Sequence, residues 1–163
     1  MPLIIHLFIH LFFAILTGYL AGKYFKKLEL GILCGFIGGF LIDFDHVLEY
    51  FLVYGLSFDL MYFLQGRQFL ISDQVRIWFH AWEYLPLLLL LAFIFRKKEA
   101  VRVALITLAF AGGVHLLSDS VINRQPLKFY SLINRASVDF SAKELMRPEE
   151  YELNQKWKRE MGL

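Results

Sequence analysis

Residues 28–50 read LELGILCGFIGGFLIDFDHVLEY, and the reading of this stretch decides the fold. From Leu30 to Ile42 it carries no charge, and then Asp43, Asp45, His46 and Glu49 follow within two turns. An apolar run of this kind, with its flanks, reaches the roughly 20 residues that cross a bilayer. Ionised groups at its end are costly unless they are paired, wet or bound to a metal. Gly31, Gly35 and Gly39 recur one turn apart and present a face of small residues on which a neighbouring helix can approach closely. The stretch predicts a membrane helix packed tightly on another helix, with a polar cluster at one end.

The rest of the chain agrees. Its 163 residues are 58% hydrophobic, 17% aromatic and 20% charged, with a mean hydropathy of +0.51, a balance that excludes an ordinary soluble domain. The net charge of +2 excludes an extended nucleic-acid surface. Cys34 stands alone, so neither an intrachain disulfide nor a thiolate metal cluster is available. Four spans are expected, Leu3–Gly22, Leu28–Tyr50, Ile77–Phe95 and Val101–Ile122, the first retained because no basic region or cleavage site marks it as a signal peptide. Residues 51–76 are apolar but broken by Gly55, Asp59, Gly66 and Arg67, which predicts a helix lying in the interface. The fold class is therefore all-α: a polytopic antiparallel bundle of about four transmembrane helices over residues 1–135 with an interfacial helical segment. A polar tail over 136–163 follows, helical from Pro148.

Each span carries polar residues at helical spacing: His6 and His10, Asp43 and His46, His80 and Glu83, His115 and Asp119. Counted from the basic loops at Lys23–Lys27 and Arg96–Arg102, His10, Asp43, His80 and His115 all stand roughly 20 to 25 Å along their helices. Antiparallel helices bring them to one level. Imidazole and carboxylate ligands without thiolates suit zinc, and less specifically manganese or iron. The expected metal ligands are His10, Asp43, His46, His80, His115 and Asp119, and the surplus of carboxylates allows a bridged centre with one to three ions. His6, near the N-terminus, reads as a packing or surface histidine that reaches the headgroups. Glu49 and Glu83 also read as interfacial charges, and Asp45 as a turn cap or water ligand.

The motifs together resemble the bacterial membrane-bound metal-dependent hydrolases, in which an early His precedes D-x-D-H, a His-led motif and H-x-x-x-D with a Pro-containing aromatic stretch. Here these are His10 (or His6), Asp43-Phe44-Asp45-His46, His80, and His115-Leu116-Leu117-Ser118-Asp119 followed by Pro126-Leu127-Lys128-Phe129-Tyr130, so the resemblance covers residues 6–135. The third motif departs from the family's two histidines, since this chain has only HAWEYL; either Glu83 replaces the second or that ligand is lost. More distantly, D-x-x-H and H-x-x-x-D are similar to the zinc phospholipase C and P1 nuclease group, whose H-x-x-x-D aspartate bridges two metals. That role would fall to Asp119. The resemblance implies an inner-membrane zinc hydrolase.

The expected substrate is embedded in the membrane: a phosphoester of a phospholipid or polyprenyl phosphate. Asp45 or Glu83 would serve as general base, and Arg124 and Lys128 would hold an anionic headgroup. Two other classes compete: a haem-binding electron carrier using histidines on separate helices, and a proton pathway or catalytically silent metal- or lipid-binding protein. Carboxylates beside the histidines argue against haem, and polar groups at one level argue against a pathway through the bilayer. Seven of the 17 Lys and Arg residues fall in the two basic loops, which places those loops in the cytoplasm and the polar cluster on the extracytoplasmic side. Oligomeric state is left open by the sequence.

Overall fold

A helix made of apolar residues gains little from water and must find its partners by close packing. The computed structural model describes residues 3–163, so residues 1 and 2 of the expected bundle lie outside it. Its first helix, α1 (Leu3–Tyr24), packs antiparallel on α2 (Leu28–Gly39) through small residues on both sides. A Cβ built on Gly31 would fall 2.4 Å from the Gly22 Cα, and one on Gly35 would fall 2.5 Å from the Gly18 Cα and the Ala14 carbonyl oxygen. The matching Ala14, Gly18 and Gly22 stripe of α1 completes the glycine face expected on α2.

Beyond Gly39 the helix breaks. Phe40 leaves helical geometry, Leu41–Asp43 form a single 3-10 turn, and α3 (Phe44–Tyr54) resumes in a new register. The single helix expected over Leu28–Tyr50 is thus two. Paired glycines weaken the helix at this point, and the break aims Asp43 and Asp45 towards α7 and the segment before α6. Residues 51–76 then hold two short helices, α4 (Leu60–Leu64) and α5 (Arg67–Ser72).

The third expected span, Ile77–Phe95, is helical over only part of its length. Helix α6 (Tyr84–Ile94) has 11 residues, about 16 Å of helix, and residues 77–83 are irregular. Their backbone is held from outside: the Phe79 amide donates to Asp45, the Trp82 amide to the Tyr130 carbonyl, and the Ile77 carbonyl accepts from Arg135. Pro86 lies in the first turn of α6, where its missing N–H costs nothing. Helix α7 (Glu99–Ile122) lies at the centre, against α1, α2 and α6. Lys27 Nζ, 3.4 Å from Glu99 Oε2, joins the two basic loops at one end of the bundle.

Among the described residues, three helical stretches are long and apolar enough to cross a membrane: Ile4–Tyr24, Leu28–Tyr54 and Glu99–Ile122. Their outer faces expose Phe8, Phe12, Leu20, Leu33, Phe110 and Val121. Apolar surface of this extent suits lipid rather than water. The chain is all-helical and of membrane character.

The end of the bundle opposite the basic loops is capped by the C-terminal segment. Val75, Ile77, Leu116, Phe129, Tyr130, Ala142 and Leu145 form one core, so the chain beyond residue 135 is packed into the same body as the helices before it. Arg135 of α8 (Leu132–Ser137) is fully buried and donates to the Phe129 and Ile77 carbonyls, tying the cap to the loop before α6. The cap continues through α9 (Ala142–Leu145) and ends in α10 (Pro148–Glu160), which buries no residue. Polar contacts hold α10: Gln155 and Lys158 reach Asp73 at 2.8 and 2.6 Å, and Glu150 accepts from Gln125 at 2.7 Å.

Candidate metal centre

At the capped end, four side chains converge from three parts of the chain. His115 and Asp119 stand one turn apart on α7, Asp43 ends the 3-10 turn, and His80 lies in the irregular segment. His80 Nε2 and His115 Nε2 are 3.1 Å apart. His80 Nε2 lies 3.3 Å from Asp43 Oδ1 and from Asp119 Oδ2, and His115 Nε2 lies 3.4 Å from each of the same oxygens. A tetrahedral zinc ion with ligands at 2.0–2.1 Å has ligand–ligand edges of about 3.3–3.4 Å. Five edges of that tetrahedron are therefore already in place.

The protons of the two imidazoles decide whether these contacts are hydrogen bonds. His115 Nδ1 is 3.0 Å from the Gly39 carbonyl oxygen, which only accepts, so Nδ1 carries the hydrogen. His80 Nδ1 donates in the same way to Asp45 Oδ2 at 2.9 Å. In a neutral ring each Nε2 is then a bare lone pair aimed at the other and at two carboxylate oxygens. Four such atoms in a buried site repel one another unless positive charge, carried by an ion or by protons on the rings, sits between them. The helix break contributes directly, because it frees the Gly39 carbonyl from the backbone ladder to orient His115.

A second group shares Asp119. Its Oδ1 lies 3.0 Å from His10 Nε2 and 3.1 Å from His6 Nε2, yet it takes no aligned hydrogen bond. The two nitrogens are 2.5 Å apart, so this trio must open to take an ion, whereas the first four fit as they stand. His6, expected as a packing or headgroup histidine, therefore belongs to the cluster. Asp119 reaches one group with each oxygen, the arrangement a bridging carboxylate requires.

Asp45, His46 and His80 form a third group. Asp45 Oδ2 is occupied by His80 Nδ1 and by the Phe79 amide at 2.8 Å, which makes Asp45 an orienting carboxylate for His80. His46 Nε2 stands further off, 3.8 Å from Asp43 Oδ1, with a third of its side chain exposed. It faces a cavity of about 220 Å³ that also opens on His80 and Asp119 and is lined by Phe69, Tyr130, Asn123 and Gln125.

Glu83 is placed elsewhere. It does not share a helix face with His80, because no helix runs there; its Oε1 accepts from Ser131 Oγ (2.5 Å) and the Ile133 amide (3.1 Å), and its Oε2 from the Leu132 amide (3.0 Å). A carboxylate at the first amides of α8 stabilises that helix. Glu83 is in none of the three groups, and so does not stand in for a second histidine of the HAWEYL motif. Arg124 and Lys128 are exposed and do not line the cavity.

Sequence reasoning did not single out the Gly39 carbonyl, Asn123 or Gln125, and it kept His6 only as an alternative to His10. For His6 the signal was present, since His6 and His10 repeat at the spacing that marked His115 and Asp119. For a main-chain carbonyl or a cavity-lining amide no sequence signal exists. No protein-family model, curated protein or solved structure matches the chain.

Proposed function

We propose that the protein is a membrane metal-dependent hydrolase acting on a phosphoester of a lipid-linked substrate, a phospholipid or polyprenyl phosphate. The observation that carries the reading is the set of four acceptor atoms, Asp43 Oδ1, His80 Nε2, His115 Nε2 and Asp119 Oδ2, converging at 3.1–3.4 Å with both imidazole tautomers fixed from behind. These four residues would hold one ion, and His6, His10 and the other oxygen of Asp119 a second. Zinc suits the donors best; manganese and iron accept the same set. Such ions supply Lewis-acid neutralisation of a phosphoryl group and a more acidic water.

The chain's own residues do the rest. Asp45 and the Gly39 carbonyl fix the imidazoles, so the ligands need little reorganisation on binding. His46 presents an imidazole to the cavity, within reach of a reacting group. The cavity holds a headgroup-sized fragment and not an acyl chain, which leaves the lipid portion to the apolar flank of the bundle. In this reading α6 and residues 77–83 together make a fourth crossing beside α7, and α4 and α5 lie at the interface. The membrane is the bacterial inner membrane, with the cluster extracytoplasmic. A haem site is disfavoured because axial imidazoles need an open slot for the ring beside their Nε2 atoms, and here the Asp43 and Asp119 carboxylates crowd both of them.

Elemental analysis of protein purified without chelator, combined with phosphate release from phospholipid and polyprenyl-phosphate micelles, tests the reading. Bound zinc with chelator-sensitive release is expected. Protein with no transition metal would remove the basis of the proposal; metal without hydrolysis of either substrate would leave a binding protein.

A further inference from the structure

Above the clustered ligands, the cavity has an uneven supply of hydrogen-bond donors. No Lys or Arg is among its lining residues. One N–H of each of its carboxamides is already engaged: Gln125 Nε2 donates to Glu150 at 2.7 Å, Asn154 Nδ2 to the Met146 sulfur at 3.3 Å, and Asn123 Nδ2 to the Tyr130 hydroxyl oxygen at 3.2 Å. Tyr130 is 2% exposed, lines the same cavity as His80 and Asp119, and stacks obliquely 6.3 Å from the His80 ring. Its oxygen accepts from Asn123, but its own proton has no acceptor among the described residues. A buried hydroxyl proton without a partner is costly, and this one is held in a cavity beside two of the clustered ligands.

We propose that Tyr130 is a catalytic hydrogen-bond donor, its phenol binding a non-bridging oxygen of the phosphoryl group seated at the metal centre. The inference rests on the metal-hydrolase reading above. Asn123 is the positioning residue: by occupying the acceptor side of the phenol, it turns the O–H away from itself and into the cavity. In this role Tyr130 is a fixed donor, not an acid or base. A donor set in advance where negative charge builds up stabilises the transition state more than the ground state. It also supplies what the absent lining cations do not.

The test is inorganic phosphate binding to the zinc-loaded full-length protein in detergent, compared between wild type and Tyr130→Phe, with zinc content measured on the same samples. Equal zinc and at least tenfold weaker phosphate binding in the variant is the expected result. Equal zinc with unchanged phosphate affinity overturns the role of Tyr130 alone, as does a zinc-loaded wild type that binds no phosphate. A wild type that takes up no zinc overturns the metal reading and this inference together. Should Tyr130→Phe fail to fold, 3-fluorotyrosine at position 130 replaces it; its more acidic phenol is a stronger donor, so tighter phosphate binding is expected and unchanged or weaker binding overturns the proposal.

Discussion

Replacing Asp45 by asparagine isolates what an orienting carboxylate contributes to a metal centre. Both donors to Asp45, the Phe79 amide at 2.8 Å and His80 Nδ1 at 2.9 Å, fall on the same oxygen, Oδ2. An amide oxygen can take both, so the loop and the His80 ring keep their places. What is lost is the charge, which makes the imidazole a better base towards an ion and strengthens the hydrogen bond behind it. The other oxygen, buried and unpartnered in the native protein, becomes an amide group with no acceptor, which adds a stability cost independent of metal. Partners of this kind are worth roughly 10- to 100-fold in metal affinity, or about 1.4–2.7 kcal/mol. A competitive chelator titration of wild type and Asp45→Asn should show that weakening, with the same number of zinc ions bound at saturation. Thermal stability in saturating zinc should fall by more than it does in the apo protein, because an ion that binds only the folded state stabilises it less when it binds less tightly. Unchanged zinc affinity would refute the orienting role. A lower saturation number would also refute it, because Asp45 would then be a ligand in its own right.

Three further outcomes are expected. Gly31→Leu should disrupt the α1–α2 contact at a cost above the roughly 1–3 kcal/mol typical of overpacking, since even a Cβ there meets backbone and not a movable side chain; Gly112→Ala, with only the Gly38 oxygen at 3.5 Å, should be nearly neutral in the same denaturant unfolding assay. Glu83→Gln should destabilise the cap by about 0.5–2 kcal/mol, as loss of a helix cap does. Matching unfolding curves for wild type and the Gln variant would rule the cap out. Cysteines introduced at Lys26 and Lys97 should behave alike towards an impermeant thiol reagent, because the Lys27–Glu99 contact puts both loops at one end; protection of both in intact cells supports a cytoplasmic position, and labelling of both reverses the orientation.

The sequence by itself determined what depends on local composition and spacing. Apolar runs of membrane length fixed the class, small residues at Gly31, Gly35 and Gly39 fixed which faces pack, and equal depth on unbroken helices brought His10 and His115 to one level. Each is a property of a residue and its near neighbours. The tertiary structure decided what depends on competition for hydrogen bonds across distant segments. His80 and Glu83 have helical spacing, but the carboxylate of Asp45, the carbonyl of Tyr130 and the guanidinium of Arg135 hold residues 77–83 out of the helix. That diverts Glu83 to the cap of α8 and leaves His80 free to turn inward. The break after Gly39 likewise becomes useful only because His115, 76 residues further on, takes the released carbonyl. His6 joined the cluster for the same kind of reason: its i, i+4 spacing from His10 was visible, but only the arrival of Asp119 between the two histidines gives that pair a role.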